Sequence, residues 1–421
     1  MDILNSLFGI FVLLLIAFLF SNNRKAINYR TVLGALAIQI GIGALILYVP
    51  AGRNVLMALA DGVAKIISFG AEGMNFLFGG LVSDKMFEVF GGGGFVFVFR
   101  VLPPVIFFAA LISVLYYLGI MQIIIKIIGG TLQKLLGTSK AESTSAAANI
   151  FVGHTEAPLL VKPFIQQMTQ SELFAVMVGG LASIAGASLA GYAGMGIPLP
   201  YLIAASFMAA PGGLLFAKLL FPQTEKPNDD INLADTEGKP ANVIEAAASG
   251  AASGAQLAIN IGAMLIAFIA LIAMLNWIIS AIAALFGQDG VTMQSLLGHL
   301  FQPLAWAVGV PWEEAQVSGA LIGEKLILNE FVAYVDFVKY LSPEAAVQLS
   351  PKTVAIIAFA LCGFANLGSI AILVGGLGSM APNRRSDIAR MGVRAVIAGS
   401  LSNLMSGAIA GLFIGIGGSV M

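Results

Sequence analysis

Apolar residues run along this chain in long unbroken blocks rather than in strand-like alternation. A helix needs about 20 apolar residues to cross the hydrocarbon core of a bilayer, and blocks of that order recur from end to end. They predict spans at about 3–20, 31–50, 94–120, 172–192, 197–220, 255–286, 351–378 and 392–418. The pattern fails in three places. Residues 54–90 mix Asp61, Lys65 and Glu72 into apolar sequence just after Arg53, as helices lying in the membrane surface do. Residues 141–168 and 316–336 are too polar and interrupted to cross, yet too apolar for loops. Re-entrant hairpins fit both, because irregular backbone survives at membrane depth only when buried in protein or lining a cavity. The predicted fold class is an all-α polytopic membrane protein with about eight transmembrane helices, two re-entrant hairpins and interfacial helices.

The two odd segments look like versions of each other. Glu156 lies mid-hairpin in "GHTEAPLL", and the small-residue run "SIAGAS" (Ser183 to Ser188) then interrupts the fourth span. Glu330 lies mid-hairpin in "LNEFVAY", and "FANLGSIA" (Phe364 to Ala371) interrupts the seventh. Paired interrupted segments in corresponding halves point to a transporter site near the midplane. Basic clusters give the orientation. Arg24, Lys25 and Arg30 follow the first span, Lys126, Lys134 and Lys140 the third, Lys218 and Lys226 the fifth, and Arg384, Arg385, Arg390 and Arg394 precede the last. Both termini outside would put all four clusters in the cytoplasm. The hairpins then enter from opposite sides, so the repeats are inverted.

Composition narrows the class. Only 10% of the 421 residues are charged, and the mean hydropathy is +0.94, against about 25% charged in a soluble protein. A net charge of −1 gives no footprint for nucleic acid. One cysteine, Cys362, excludes an intrachain disulfide, and two histidines make a multi-histidine metal site untenable. Met1 to Phe20 has Asp2 where a signal peptide would be basic, so it reads as the first helix. No N-x-S/T sequon occurs, in keeping with a bacterial inner membrane. The acidic, proline-containing stretch 222–245 reads as a solvated cytoplasmic loop. "GGGG" at 91–94 lacks the Lys-Ser/Thr of a phosphate loop and reads as a hinge.

A carboxylate at a helix centre in lipid costs roughly 2.5–3.5 kcal/mol on insertion scales. Glu156 and Glu330 could cap the broken helices, since a negative side chain is stabilised at a helix N-terminus. Alternatively they face a shared wet cavity and accept hydrogen bonds from a neutral polyhydroxylated molecule, a base with N–H donors, or a cation. Asn149, Ser183 and carbonyls freed by unwound backbone would suit a small hard cation. An intramembrane hydrolase would need a nucleophile–base pair or facing aspartates, and neither G-x-G-D nor H-E-x-x-H occurs. A passive channel can also contain re-entrant segments; accumulation against a gradient separates it from a transporter.

"GEKLILNEFVAY" (Gly323 to Tyr334) resembles the G-x-K-x-x-x-N-E-F-x-A signature of the concentrative nucleoside transporters. "FVFRVLPPVIFFAALISVLYYLGIMQ", "GHTEAPLLVKP" and "GFANLGSIAI" are similar to that family's third span, first hairpin tip and unwound seventh helix. The resemblance implies a homotrimeric, elevator-type transporter that imports nucleosides such as uridine, cytidine and adenosine. The driving ion would be sodium, or alternatively a proton, with no organic cofactor. By resemblance, residues 1–140 would be mainly scaffold, 141–220 the first part of the transport domain, 221–254 a cytoplasmic loop, 255–315 scaffold and 316–421 the second part of the transport domain. Thr155 and Glu156 would face the base, Phe364 would pack against it, and Glu330, Asn366 and Ser369 would bind ribose hydroxyls. Gly153, His154 and Ser188 would line the pocket. Asn149 and Ser183 would hold sodium through side chains, Val152 and Ile184 through carbonyls. The family commonly has Gln where this chain has His154. Neutral His also offers one donor and one acceptor, at different spacing, and it charges near pH 6.5. The swap is either tolerated in a water-mediated contact or alters base preference or the pH dependence of affinity. His299 reads as a packed or interfacial histidine.

Overall fold

A computed structural model describes residues 2–90, 95–228, 240–342, 345 and 347–417. All regular elements among them are helical. The proposed hinge at 91–94 and residues 229–239 of the polar loop lie outside the described residues. Among the described residues, seven helical stretches are long and apolar enough to cross a membrane.

The chain begins with α1 (Asp2–Leu19) and α2 (Tyr29–Leu47), close to their predicted bounds. The mixed-polarity segment 54–90 is mostly one helix, α3 (Pro50–Phe78), opened by a proline at its first position, followed by short α4 (Lys85–Phe90). By length and composition alone Pro50–Phe90 is also among the seven candidate spans. The third span is split at Val101 into α5 (Phe97–Arg100) and α6 (Leu102–Tyr117), where two prolines follow. Beyond it the basic cluster is no loop. Lys126 and Lys134 lie on α7 (Ile120–Leu136), bounded by Gly119 and Gly137, both with positive φ. Its buried stripe is Met121, Ile125, Gly129, Leu132 and Leu136, a 3–4 spacing that marks an amphipathic helix.

The first hairpin is α8 (Lys140–Ala148), an irregular tip, and α9 (Lys162–Ile165). The fourth span follows as two half-helices, α10 (Gln170–Ala182) and α11 (Gly186–Gly194), and then α12 (Leu199–Leu220). The second half repeats this order. Its hairpin is α15 (Trp312–Ile327) and α16 (Glu330–Val338), two to four residues longer at each end than predicted. The seventh span is α17 (Pro351–Leu361) and α18 (Gly368–Met380), and the last helix is α19 (Arg385–Gly417). Between the halves lie α13 (Val243–Ala284) and α14 (Met293–Ala307). The sixth span therefore begins twelve residues before its predicted start at 255, inside what was read as loop. The cause is composition: "AAASGAASGA" looks like a linker but packs like a membrane helix. A Cβ on Gly250 would stand 2.7 Å from the Ala109 carbonyl oxygen, and one on Gly254 would stand 2.8 Å from the Ile106 Cα, so α13 and α6 meet backbone to backbone.

α10, α12, α17 and α19 pack together as the buried centre. Each hairpin is fixed where its half begins. Ser139 and Thr169 close capping boxes with Glu142 and Glu172 at the starts of α8 and α10. Buried Lys218 on α12 pairs with Glu142 and donates to Ser171 at 2.8 Å, joining the two starts. In the second half Glu314 on α15 accepts from the backbone N–H of Ser350, the N-cap of α17, at 3.2 Å.

Both interrupted helices end in the interior, where their last carbonyls have no water to bond. One side chain serves both. Asn403, mid-way along α19, donates through Nδ2 to Ala182 O at 2.6 Å and to Cys362 O at 2.9 Å. Its Oδ1 accepts from Lys325 Nζ at 2.6 Å, and Lys325 also donates to Ala360 O at 3.2 Å. Asn403 and Lys325 are 2% and 3% exposed, so water cannot substitute for either. Asn403→Leu leaves two buried carbonyls unbonded and the Lys325 ammonium with only its bond to Ala360 O. It is expected to cost about 3 kcal/mol or more, measured as a fall in thermal midpoint of the detergent-purified protein. An unchanged midpoint would show that the helix ends are satisfied some other way.

Candidate functional site

The two breaks hydrogen-bond to each other and to their own hairpins. α10 ends at Ser183, whose backbone turns extended. The Phe364 N–H donates to the Ser183 carbonyl at 3.1 Å. The Gly186 N–H donates to Phe151 O at the first hairpin tip, at 2.9 Å. The Leu367 N–H donates to Leu326 O near the second tip, at 3.0 Å. Two broken helices and two tips thus form one connected piece of irregular backbone, each half contributing the same parts.

On the second-hairpin side the carboxylate is held. Asn329 caps α16 by accepting from the Val332 N–H at 2.9 Å, which places Glu330 at the first helical position, where the dipole favours a negative group. Glu330 is 3% exposed. Its Oε1 accepts from the Tyr192 hydroxyl at 3.0 Å, and its Oε2 from Asn366 Nδ2 at 3.4 Å. Asn366 Oδ1 accepts in turn from the Ser369 backbone N–H at 2.9 Å and from its hydroxyl at 3.1 Å. Ser369 Oγ also donates to Phe364 O at 2.6 Å. The structure brings Glu330, Asn366, Ser369 and the Phe364 backbone into one network. Tyr192, on α11, belongs to that network and was not singled out in the sequence, where an aromatic on an apolar helix reads as core.

The first tip meets the same region through rings. The His154 ring stands edge-on to Phe364 with centroids 4.8 Å apart, and its two nitrogens make no hydrogen bond. Space for it comes from Gly180, where a Cβ would lie 2.6 Å from the His154 Cβ. Gly153 is buried against Ala185 and Phe364. Thr155 and Glu156 are exposed. Glu156 turns back on its own tip, accepting from the Gly153 N–H at 3.2 Å, so it makes no direct contact with the Glu330 network. Ser188 is fully buried on α11, and its hydroxyl has no partner.

Asn149 closes α8 and is 1% exposed, and neither its amide oxygen nor its nitrogen has a hydrogen-bond partner. It lies against α10, where a Cβ on Gly179 would stand 3.1 Å from its Nδ2. Ser183 Oγ donates to the Gly179 carbonyl at 2.9 Å. Asn149 and Ser183 thus flank one turn of α10, with buried Val152 and Ile184 beside them. A buried amide left without partners costs about 1–3 kcal/mol, and side-chain oxygens around unwound backbone are the donor set that suits sodium. Cys362 is buried beside the Tyr334 side chain, and exposed His299 lies 3.2 Å from Gln316. No group of three or more His, Cys, Asp or Glu that could hold a metal occurs among the described residues.

Three family models match the chain: Na+ dependent nucleoside transporter N-terminus over residues 8–81, a gate model described as nucleoside recognition over 98–199, and Na+ dependent nucleoside transporter C-terminus over 201–411. Nucleoside permease NupC of Helicobacter pylori is 54% identical over 411 residues, covering 98% of each chain. Sodium/nucleoside cotransporter 1 of Mus musculus is 39% identical over 417 residues, which is 96% of this chain and 63% of the mouse protein. The inward-facing, substrate-bound structure of CNTnw, a bacterial concentrative nucleoside transporter, shares 65% identity, covers 100% of this chain and 99% of its own, and superposes with a TM-score of 0.96. An outward-facing form of CNTnw gives 0.97, so the fold is common to both states. These relatives are permeases and transporters rather than enzymes, and the all-helical fold is that of an elevator-type transporter. This multi-pass membrane protein belongs to the concentrative nucleoside transporter family.

Proposed function

We propose that the chain imports nucleosides such as uridine, cytidine and adenosine by coupling their movement to a sodium gradient. Asn149 carries the sodium reading: a fully buried amide with two unpartnered atoms, set against the broken end of α10. In this reading sodium is held by Asn149 and Ser183 side chains and by the Val152 and Ile184 carbonyls. Binding there orders the first hairpin tip, which shares the Phe151 to Gly186 hydrogen bond with the same break. Glu330, Asn366 and Ser369 take the ribose hydroxyls, exchanging bonds they now make with Tyr192 and each other. Phe364 packs against the base, with Gly153, His154, Thr155, Glu156 and Ser188 around it. The transport domain, residues 141–220 and 316–421, moves against a scaffold of 1–140 and 255–315. The assembly is a homotrimer in a bacterial inner membrane with both termini outside the cytoplasm. The long α6–α13 pair supports a scaffold role, since α13 leaves Ile266 and Trp277 76% and 73% exposed to lipid or to other subunits.

Proteoliposomes under an inward sodium gradient are expected to accumulate uridine, and those under an inward proton gradient alone are not. Accumulation with protons only would overturn sodium coupling and turn attention to Glu156, Glu330 and His154. Accumulation under neither gradient, for any nucleoside, would overturn the transport reading itself.

Asn149→Ala and Ser183→Ala each remove one cation ligand. Both should raise the sodium concentration for half-maximal uptake by about tenfold, the equivalent of ~1.4 kcal/mol, with the uridine site intact in a direct binding assay. Glu330→Gln should weaken uridine binding by roughly 10- to 100-fold, because hydrogen bonds to a charged group are worth ~1.5–3 kcal/mol. An unchanged affinity would remove Glu330 from the ribose site.

His154→Gln restores the amide common in the family and changes the spacing of donor and acceptor. The ratio of uridine to adenosine uptake is expected to shift by about threefold or more, since a mismatched polar contact is poorly tolerated in a site built for hydrogen bonding. An unaltered ratio would make His154 a neutral replacement.

A further inference from the structure

A cavity lined by none of the hairpin-tip residues lies at the end of α19 where its basic residues gather. It has a volume of about 430 Å³ and is lined by Asn22, Gln170, Phe221, Arg390, Met391 and Arg394. These come from four places: the segment after α1, the first residue of α10, the C-cap of α12 and the first turns of α19. By the positive-inside rule this end faces the cytoplasm.

The lining suits an anion. Arg390 and Arg394 are one helical turn apart on α19. Arg390 shares Asp387 with Arg384, at 2.6 and 2.9 Å, so one carboxylate offsets two guanidinium groups and positive charge remains. The Gln170 side chain also bonds to Asp387. Exposed Arg394 has no hydrogen-bond or ion-pair partner among the described residues. Gln170 opens a 13-residue helix, whose N-terminal end carries partial positive charge, although its Glu172 N–H is already taken by Thr169 Oγ. The nearest acid on that helix, Glu172, is turned away to Thr169, accepting from its N–H and hydroxyl at 2.9 Å. Arg24 is occupied in capping α1, donating to Phe18 O and Leu19 O.

Apolar surface adjoins the charge. Leu19 and Phe20, at the end of α1 just before Asn22, are 55% and 54% exposed. The Asn22 N–H donates to Leu220 O at 3.0 Å, which fixes this end of α1 beside α12. A phosphate held by the arginines would therefore have membrane-facing apolar side chains next to it, where acyl chains can lie.

We propose that this cavity seats the phosphate group of an anionic phospholipid of the cytoplasmic leaflet. Arg390, Arg394 and the start of α10 bind the phosphate, Asn22 bonds to the headgroup, and the chains run along the end of α1. The lipid would bridge α1 to α10 and α19, and so join an element of the first 140 residues to both halves of the repeat. The assignment is independent of substrate and driving ion.

The test uses the full-length protein in detergent, titrated with phosphatidylglycerol or phosphatidylcholine and read by native mass spectrometry. Wild type is expected to retain phosphatidylglycerol at least tenfold more strongly than phosphatidylcholine. A cation near an anionic headgroup is worth ~1 kcal/mol, about fivefold in affinity, so Arg390→Gln with Arg394→Gln should lose that preference. The corresponding double lysine variant should keep most of it. Arg394→Gln alone, at an exposed side chain without a protein partner, gives the same readout with about a fivefold loss should the double variant fail to fold. Equal retention of both lipids by wild type would overturn the proposal. So would undiminished retention by the glutamine variants. Displacement of phosphatidylglycerol by millimolar inorganic phosphate would reassign the cavity to a soluble anion.

Discussion

Everything distinctive about this molecule rests on stopping two helices inside a membrane. A helix end exposes carbonyls that water would normally satisfy, and the bilayer offers no water. Asn403 and Lys325 supply the missing donors, and one asparagine serves the ends of both broken helices. The arrangement draws on four helices. α19 carries the amide, α15 carries the ammonium, and α10 and α17 carry the carbonyls. A cation at the negative ends of helices is favourable in itself. The breaks are then free to present backbone and side chains to the centre of the fold, where Phe364 and Ser183 join the halves.

The two halves solve the same problem with different residues. The first fixes hairpin and half-helix through two capping boxes bridged by Lys218, the second through Glu314 and Ser350. Hydrogen bonds from each break to its own hairpin tip recur in both. The tips then diverge. One presents Glu330 to a buried network, and the other presents His154 to the Phe364 ring while Glu156 folds back on Gly153. Symmetry of backbone with asymmetry of side chains is what a pocket needs if it is to hold a ligand with unlike ends.

Much of this was legible in the sequence. The hairpins and the breaks followed from polar residues that apolar sequence could not otherwise explain, and the grouping of Glu330, Asn366 and Ser369 from the resemblance to the transporter family. Glu156, the matching mid-hairpin carboxylate, accepts from its own Gly153 N–H instead of joining that network. α7 was not legible because Lys126 and Lys134 give its sequence the look of a basic loop, while the buried stripe beneath them comprises only five residues. The start of α13 was hidden because alanine, glycine and serine compose both linkers and close-packed membrane helices. Tyr192 and Asn403 carried no local signal: each is defined by partners more than a hundred residues away in sequence or on another helix, and only the assembled fold brings those partners together.

The hydrogen bonds that hold Glu330 have a consequence for the half of a transport cycle that carries nothing. A carrier must return to its starting face unloaded, and a naked carboxylate would drag its hydration through a low-dielectric barrier on every return. Under the proposed role of Glu330, the tyrosine and the asparagine that donate to it would serve as a resident stand-in for cargo, each exchangeable, bond for bond, with a substrate hydroxyl. Turnover would then be governed by an exchange between equals rather than by the stripping of water from a charge.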